Sequence, residues 1–205
     1  MNNKLFFAIG LAATLLQAPV TVSAQSSGTS QQNPLLMKSN LPFGAPDFSR
    51  IKERDYLPAI EAAIKIKRDN IQKIGDNKKK PTFQNTILAF EESGILLDRV
   101  CSVFFGLTNA DKTPVLAEAE DKVKPLLTGL ENEISFNQQL FERIKFVYDN
   151  EYAKLKGEDQ RLTEEIYKSF VRSGARLSGE KMARMKESNS RISELQQQWG
   201  YLLPE

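Results

Sequence analysis

The stretch from Glu158 to Leu203 constrains the fold most, because its apolar residues are spaced as in two amphipathic helices. The first helix is predicted from about Glu158 to Ser173, with Gly174 well placed to end it. The second begins after Ser178 and is long. Its apolar residues recur at helical spacing: Met182, Met185, Ile192, Leu195, Trp199 and Leu202. Polar residues interrupt that side, so we expect it to be only partly covered within this chain.

Four further helices are predicted upstream, at about residues 55–75, 82–108, 113–134 and 137–148. Pro58 fits the first turn of the first of these helices, and Thr113 with Pro114 is a capped start for the third. Pro125 is expected to kink or split the third helix. No segment has strand periodicity. The sequence therefore predicts an all-α fold, a bundle of about six antiparallel helices that forms the N-terminal region of a larger helical protein.

The N-terminal residues have the pattern of a secretory signal peptide. Lys4 precedes an uncharged apolar segment of 12 residues, Leu5 to Leu16, and Val22 and Ala24 place small residues at positions −3 and −1 of a cleavage site before Gln25. The alternative is a membrane anchor, but a bilayer span needs about 20 apolar residues. We therefore expect residues 1–24 to be removed and the mature protein to be exported, to the periplasm, without a membrane anchor.

Residues 25–46 are expected to precede the helical domain, which spans residues 47–205. The polar segment Gln25 to Gln32 is predicted to be a disordered leader. Residues 33–46 are predicted to form an extended arm that packs its apolar side chains on the domain: Leu35, Leu36, Leu41 and Phe43. Loss of Lys4 leaves a net charge of +1, which gives no global field for nucleic acid or an anionic membrane.

The composition excludes most hydrolytic sites from this chain, because it holds no histidine and a single cysteine. A typical zinc site, a Ser-His-Asp triad and a Cys-His pair all need one or more of these residues. Cys101 has apolar neighbours and is predicted to be a buried, inert thiol, the alternative being a reactive one. No catalytic, cofactor-binding or metal-binding residue is therefore assigned, and whether the chain is an enzyme stays open.

Three charged clusters have alternative interpretations. The loop Asp76 to Pro81 carries three lysines and is interpreted as a solvated linker, although an anion-binding patch is conceivable. Acidic residues stand close together on two predicted helices, where they resemble acid–base pairs: Glu118, Glu120 and Asp121 on one, Glu164 and Glu165 on the other. Because adjacent helical residues do not share a face, we interpret them as exposed helix acids.

Several segments together resemble one protein family. They are NPLL at Asn33, LPFGAPDFSRIKERDYLPAIEAAI at Leu41, PTFQNTILAFEESGILLDRVCSVFFGLTNA at Pro81, FVRSGARLS at Phe170 and RISELQQQWG at Arg191. Each is weak alone, but their order and spacing cover about 170 residues. The chain thus resembles the N-terminal portion of bacterial peptidyl-dipeptidases (dipeptidyl carboxypeptidases), which are thimet-oligopeptidase-like zinc metallopeptidases.

The resemblance implies a helical enzyme of two halves around a deep channel, with one zinc held by a His-Glu-x-x-His helix and a downstream glutamate. Such enzymes release C-terminal dipeptides from short peptides. The zinc-binding helix has no counterpart in this chain, so no catalytic residue is carried over. The N-terminal helices of the family cover the channel, which implies a lid-like role for residues 47–200.

The resemblance ends near Tyr201. Relatives have an asparagine three residues after the aromatic at Trp199 and then continue the helix, whereas this chain has Leu202. We therefore expect a chain truncated by a frameshift, a premature stop or an error in gene prediction, and inactive alone. One alternative is a stand-alone, non-catalytic periplasmic binding or scaffold protein. Another is a split enzyme whose catalytic half is a separate chain that docks on this one.

Overall fold

The protein is built from helices, and the all-α prediction is confirmed for the part of the chain that the structure describes. This structure is a computed structural model that describes the backbone of residues 33–202 and the side chains of residues 33–199. The predicted signal peptide and leader, residues 1–32, lie outside the described residues. No strand occurs in the described range. The helices are α1 (Tyr56–Gly75), α2 (Ala89–Ser93), α3 (Ile95–Ala110), α4 (Pro114–Ser135), α5 (Gln138–Glu151), α6 (Gly157–Arg172) and α7 (Gly179–Leu202).

The local signals at helix ends act as the sequence predicts. Thr113 Oγ1 accepts a hydrogen bond from the Leu116 amide at 3.3 Å at the start of α4, and Asn137 caps α5 in the same way. Gly174 ends α6 with a φ of 90°. There the Gly174 amide donates to Val171 O and the Ala175 amide to Phe170 O, the paired bonds of a Schellman motif.

The structure divides the second predicted helix and keeps the third in one piece. A π-helix, Phe83–Leu88, leads into α2, and α2 meets α3 at Gly94. Pro125 lies inside α4, yet that helix continues from Pro114 to Ser135. Of the two expected effects of Pro125, a kink or a split, the split is therefore wrong. Since a proline only removes one donor and crowds the preceding turn, a helix packed on its neighbours can tolerate it.

Two hydrophobic cores share α1. The first lies between α1, α3 and α4, and its fully buried members include Tyr56, Ile60, Val100, Phe104, Leu116 and Val123. The second lies between the C-terminal half of α1, the π-helix, α5 and α6, and includes Ile71, Ile87, Leu140, Ile144, Val147, Ile166 and Phe170. Full burial of one such side chain contributes about 1.5–3 kcal/mol. The contacts between helices are consistent with the predicted bundle.

The arm before α1 packs on the domain with only part of its apolar surface. Leu35 is buried in the first core and Leu36 packs against that core, as predicted. Asn33 fixes this end, because its side chain donates to Asp55 O at 2.8 Å. Leu41 and Phe43 are exposed, however, so the prediction that they pack on the domain is wrong. Phe43 lies in a tight turn with a φ of 59°, and its side chain is fully exposed.

The last helix, α7, lies outside both cores. It packs against α4, and none of its described side chains is buried. Ile192, Leu195 and Trp199 are 53%, 46% and 64% exposed. The prediction that this apolar side is incompletely covered is therefore confirmed. Within residues 33–202 no helix is long and apolar enough to cross a membrane.

Candidate functional site

The predicted acidic clusters serve as partners of lysine and arginine side chains. Glu118 pairs with Lys122 across one turn of α4, at 2.7 Å, and is exposed as expected. Glu120 is different: it is only 8% exposed, and each of its carboxylate oxygens lies 2.7 Å from an ammonium group, that of Lys112 or that of Lys124. The interpretation of Glu120 as an exposed acid is therefore wrong. Burial opposes its ionisation, but the two hydrogen bonds outweigh burial and hold the pKa of Glu120 below its usual range.

The acidic residues of α6 are also engaged separately. Glu164 accepts a hydrogen bond from the Tyr152 hydroxyl at 3.2 Å and pairs with Lys168 at 2.5 Å. Glu165 is exposed and lies 3.7 Å from Arg172. The two carboxylates thus have different partners, as expected for adjacent residues on a helix. The carboxylates of Glu164 and Glu165 are therefore not arranged to share a proton as an acid–base pair.

Cys101 is a half-buried free thiol on α3 that packs against the first core. Burial, helped by the nearby negative charge of Asp98, raises the pKa of the Cys101 thiol to about 11. Because the thiolate is the nucleophile, a thiol with this pKa reacts slowly at neutral pH. These surroundings support the interpretation of Cys101 as inert.

The loop from Asp76 to Pro81 has exposed lysines, and a buried arginine donates hydrogen bonds to its backbone. Lys78, Lys79 and Lys80 are exposed, in agreement with the linker interpretation. Arg143 of α5, only 8% exposed, donates to Asn77 O at 2.6 Å and to Lys79 O at 3.1 Å.

The same guanidinium reaches the π-helix, where it donates to Asn85 Oδ1 at 3.0 Å and to Thr86 Oγ1 at 3.3 Å. Sequence reasoning missed Arg143. The sequence feature that could have revealed its burial is its position on the apolar side of α5, three residues after Leu140 and one turn before Val147.

The described residues do not fit a zinc ion. Within residues 33–199, no three His, Cys, Asp or Glu side chains lie close enough together to hold a metal. The donor set also differs from that of hydrolytic zinc sites, since the chain has no histidine and its one thiol is partly buried with a raised pKa. That the chain holds no zinc stays a prediction.

Among the described residues, a cleft of about 930 Å³ lies between α4, α6 and α7. We call it the α6–α7 cleft. Its lining combines apolar side chains with polar ones. Among the apolar residues are Phe90, Leu162, Ile166, Phe170, Met185 and Ile192, and the polar residues include Asn132, Glu165, Ser169, Asn189 and Gln196.

The position of α7 beside this cleft depends on polar contacts with α4. Asn189 Nδ2 donates to Asn132 Oδ1 at 2.9 Å, and the hydroxyls of Thr128 and Ser193 lie 3.0 Å apart. A third bond runs from Gln197 Nε2 to Asp121 Oδ1, at 2.9 Å. The side of α7 that carries Asn189, Ser193 and Gln197 therefore faces α4. The arrangement presents an apolar helix side next to an open cleft, which is the geometry of a binding surface rather than of a reaction centre.

Comparison with known proteins tests the resemblance directly. No family model matches this chain. The dipeptidyl carboxypeptidase of Salmonella typhimurium strain LT2 is 39% identical over 172 residues, which cover 83% of this chain and 25% of the relative. The dipeptidyl carboxypeptidase of Escherichia coli K12 is 38% identical over the same shares of both chains. The resemblance to an N-terminal portion of dipeptidyl carboxypeptidase is confirmed.

More distant relatives agree with this result. Oligopeptidase A of Escherichia coli K12 is 28% identical over 169 residues, which cover 82% of this chain and 24% of that protein. The chain thus spans about a quarter of the length of the curated relatives it matches. The five segments from which the resemblance to peptidyl-dipeptidases was drawn include most of the first core, a third of the buried residues of the second core and residues 191–200 of α7.

Proposed function

We propose that this chain is the helical N-terminal portion of an exported zinc metallopeptidase that releases C-terminal dipeptides from short peptides. The observation that carries the proposal is the 39% identity to a dipeptidyl carboxypeptidase over 83% of this chain. Export is proposed from the signal-peptide pattern of residues 1–24, with the periplasm as the destination. The substrates proposed for the whole enzyme are short peptides.

In this proposal the chain supplies a wall or lid of the peptide-binding channel and none of the zinc ligands. Its described residues offer a rigid double core, an open cleft and an apolar helix side, but no cluster of metal-binding side chains. The zinc would polarise the scissile carbonyl and activate water when bound in the whole enzyme. The 205-residue chain alone is accordingly proposed to release no dipeptide.

The test is a chimera. Residues 33–200 of this chain replace the matched quarter of the dipeptidyl carboxypeptidase of Escherichia coli, and the product is incubated with an N-blocked tetrapeptide. We expect the chimera to release the C-terminal dipeptide, detected by mass spectrometry, and a chelator to abolish the release. The isolated chain should release none at the same zinc concentration. A folded chimera without activity, or an active isolated chain, would contradict the proposal.

The split-enzyme hypothesis predicts a different result in this assay. Activity that arises only when the isolated chain is mixed with the separately produced remainder of the relative would show that a catalytic half can dock in trans. A stand-alone binding or scaffold protein would instead leave the chimera inactive and the isolated chain folded.

A further inference from the structure

The exposed apolar side of α7 has the spacing of a helix-pairing seam. Ile192, Leu195 and Trp199 are three and four residues apart, and Met185 stands seven residues before Ile192. An alternating three–four spacing keeps side chains on one stripe that faces a partner helix. We call these four residues the α7 stripe. Its three C-terminal members are 46–64% exposed, so residues 33–199 cover them only in part.

The α7 stripe borders the α6–α7 cleft. Met185 and Ile192 line the cleft from one side, and Leu162, Ile166 and Phe170 line it from the other. A helix laid along α7 could therefore insert apolar side chains between α6 and α7 while it covers Leu195 and Trp199. Recognition of an amphipathic helix by an apolar groove uses this arrangement.

Charge along the α7 stripe distinguishes between possible occupants. Arg184 and Arg191 flank the stripe on the side away from the cleft, at the positions where paired helices exchange ion pairs. Arg191 also pairs with Glu194 of α7 at 3.0 Å, but both side chains are 61% exposed. Asn189 and Gln196 flank the stripe on the cleft side and are uncharged, and the cleft itself carries charges of both signs, among them Glu165 and Arg172. A second copy of α7 would thus set arginine against arginine in antiparallel pairing, or arginine against an amide in parallel pairing. A helix with acidic residues beside its apolar stripe would gain ion pairs.

We propose that the α7 stripe and the α6–α7 cleft are the docking surface for one amphipathic helix with an acidic flank, supplied by the rest of the peptidase. This rests on the proposed function, and the length of the relatives, of which this chain covers a quarter, provides the source of that helix. Docking here would fix the lid-like N-terminal portion against the remainder of the enzyme. The same contact would convert exposed apolar surface into an interface core.

The charge requirement is tested on the isolated chain with two synthetic helical peptides that contain no tryptophan. Both carry leucine in a three–four repeat, and one has glutamate flanks and the other lysine flanks. Trp199 is the sole tryptophan of the chain, so its fluorescence reports coverage of the stripe directly. We expect a blue shift with the glutamate peptide and binding roughly tenfold tighter than that of the lysine peptide. Equal binding of the two peptides, or binding of neither, would overturn the proposal.

The source of the helix is tested by hydrogen exchange. In the chimera described above, the amides of residues 190–199 should exchange at least tenfold more slowly than in the isolated chain. Leu195→Glu should abolish this protection, whereas Ser190→Glu, which adds the same charge at an exposed position outside the stripe, should keep it. Absence of protection in a chimera that still releases dipeptide would overturn the docking proposal alone. Protection in a chimera that releases none would overturn the proposed function alone.

Sedimentation of the isolated chain tests whether a second copy of this chain occupies the docking surface instead. We expect a monomer, both for the natural sequence and for Leu195→Glu. A reversible dimer that Leu195→Glu abolishes would identify a second copy as the occupant and overturn the proposal.

Discussion

Replacement of Arg143 by methionine should destabilise the protein by about 2–3 kcal/mol, because this side chain joins three elements. Its guanidinium donates to Asn77 O, Lys79 O, Asn85 Oδ1 and Thr86 Oγ1 at 2.6–3.3 Å. Hydrogen bonds to a charged group contribute about 1.5–3 kcal/mol each, but two of these acceptors lie on a loop where water can replace the donor. Burial disfavours the charged form and so lowers the pKa of the Arg143 guanidinium. Methionine removes the buried charge while it keeps an apolar side chain of similar length to the aliphatic stem. The expected net loss of stability is therefore well below the summed contributions of the four hydrogen bonds.

The assay is urea and thermal unfolding, followed by circular dichroism at 222 nm. A loss of about 2–3 kcal/mol corresponds to a decrease in Tm of roughly 5–10 °C for a domain of this size. Native-state trypsin digestion gives a local readout, because release of the loop at Lys78–Lys80 should speed cleavage there at least tenfold. Arg161→Met is the matched control: Arg161 is 74% exposed and reaches only Glu158, at 3.4 Å, so a change within 0.5 kcal/mol is expected. Equal stability of the two variants would refute the role assigned to Arg143.

Four further predictions concern separate features. Gly174→Ala should cost about 1–2 kcal/mol in chemical unfolding, since alanine is strained at a φ of 90° and its Cβ would lie 2.9 Å from Leu177 Cδ1. Glu120→Gln should cost about 1–2 kcal/mol at pH 7. Because the folded pKa of Glu120 is lowered, its contribution is complete above the unfolded pKa of ~4.3 and is lost as pH falls through the folded value, so the two proteins should converge in acid. Cys101 should react with a disulfide reagent at pH 7 about a hundredfold more slowly in the folded than in the unfolded chain, given its pKa of about 11. A chain ended after Ser178 should unfold cooperatively and lose only the helical signal of α7, because neither core includes a residue of that helix; loss of all helical signal would contradict this.

The sequence predicts the helices well because their signals are local. Helical spacing of apolar residues, the caps at Thr113 and Asn137 and the glycine after α6 each act within one turn, and each is found where expected. Pro125 shows the limit of such signals. Whether a proline splits a helix depends on the packing of the residues on both sides of it, and α4 packs on α1 and α7.

Contacts between distant residues were not predictable in the same way. Glu120 is buried with a carboxylate that pairs with Lys124 and also with Lys112, which lies outside the helix. The acceptors of Arg143 lie 57–66 residues away along the chain. For Phe43, hydrophobicity alone indicated burial, but the backbone turn directs it outward. In each case the deciding partner or geometry comes from tertiary structure, which periodicity does not contain.

Helix α7 reverses the usual orientation of an amphipathic helix. Its polar side, with Asn189, Ser193 and Gln197, bonds to α4, while Ile192 borders the cleft and Trp199 is 64% exposed. At about 100° per residue, the two sides lie roughly a third of a turn apart. The exposed part of an apolar side chain gains nothing from folding, so about half of the surface of Ile192, Leu195 and Trp199 adds no stability to residues 33–199. Both cores are closed without it. The stripe is stabilising only when another surface covers it, and the polar bonds to α4 hold it in the orientation that a partner helix would need.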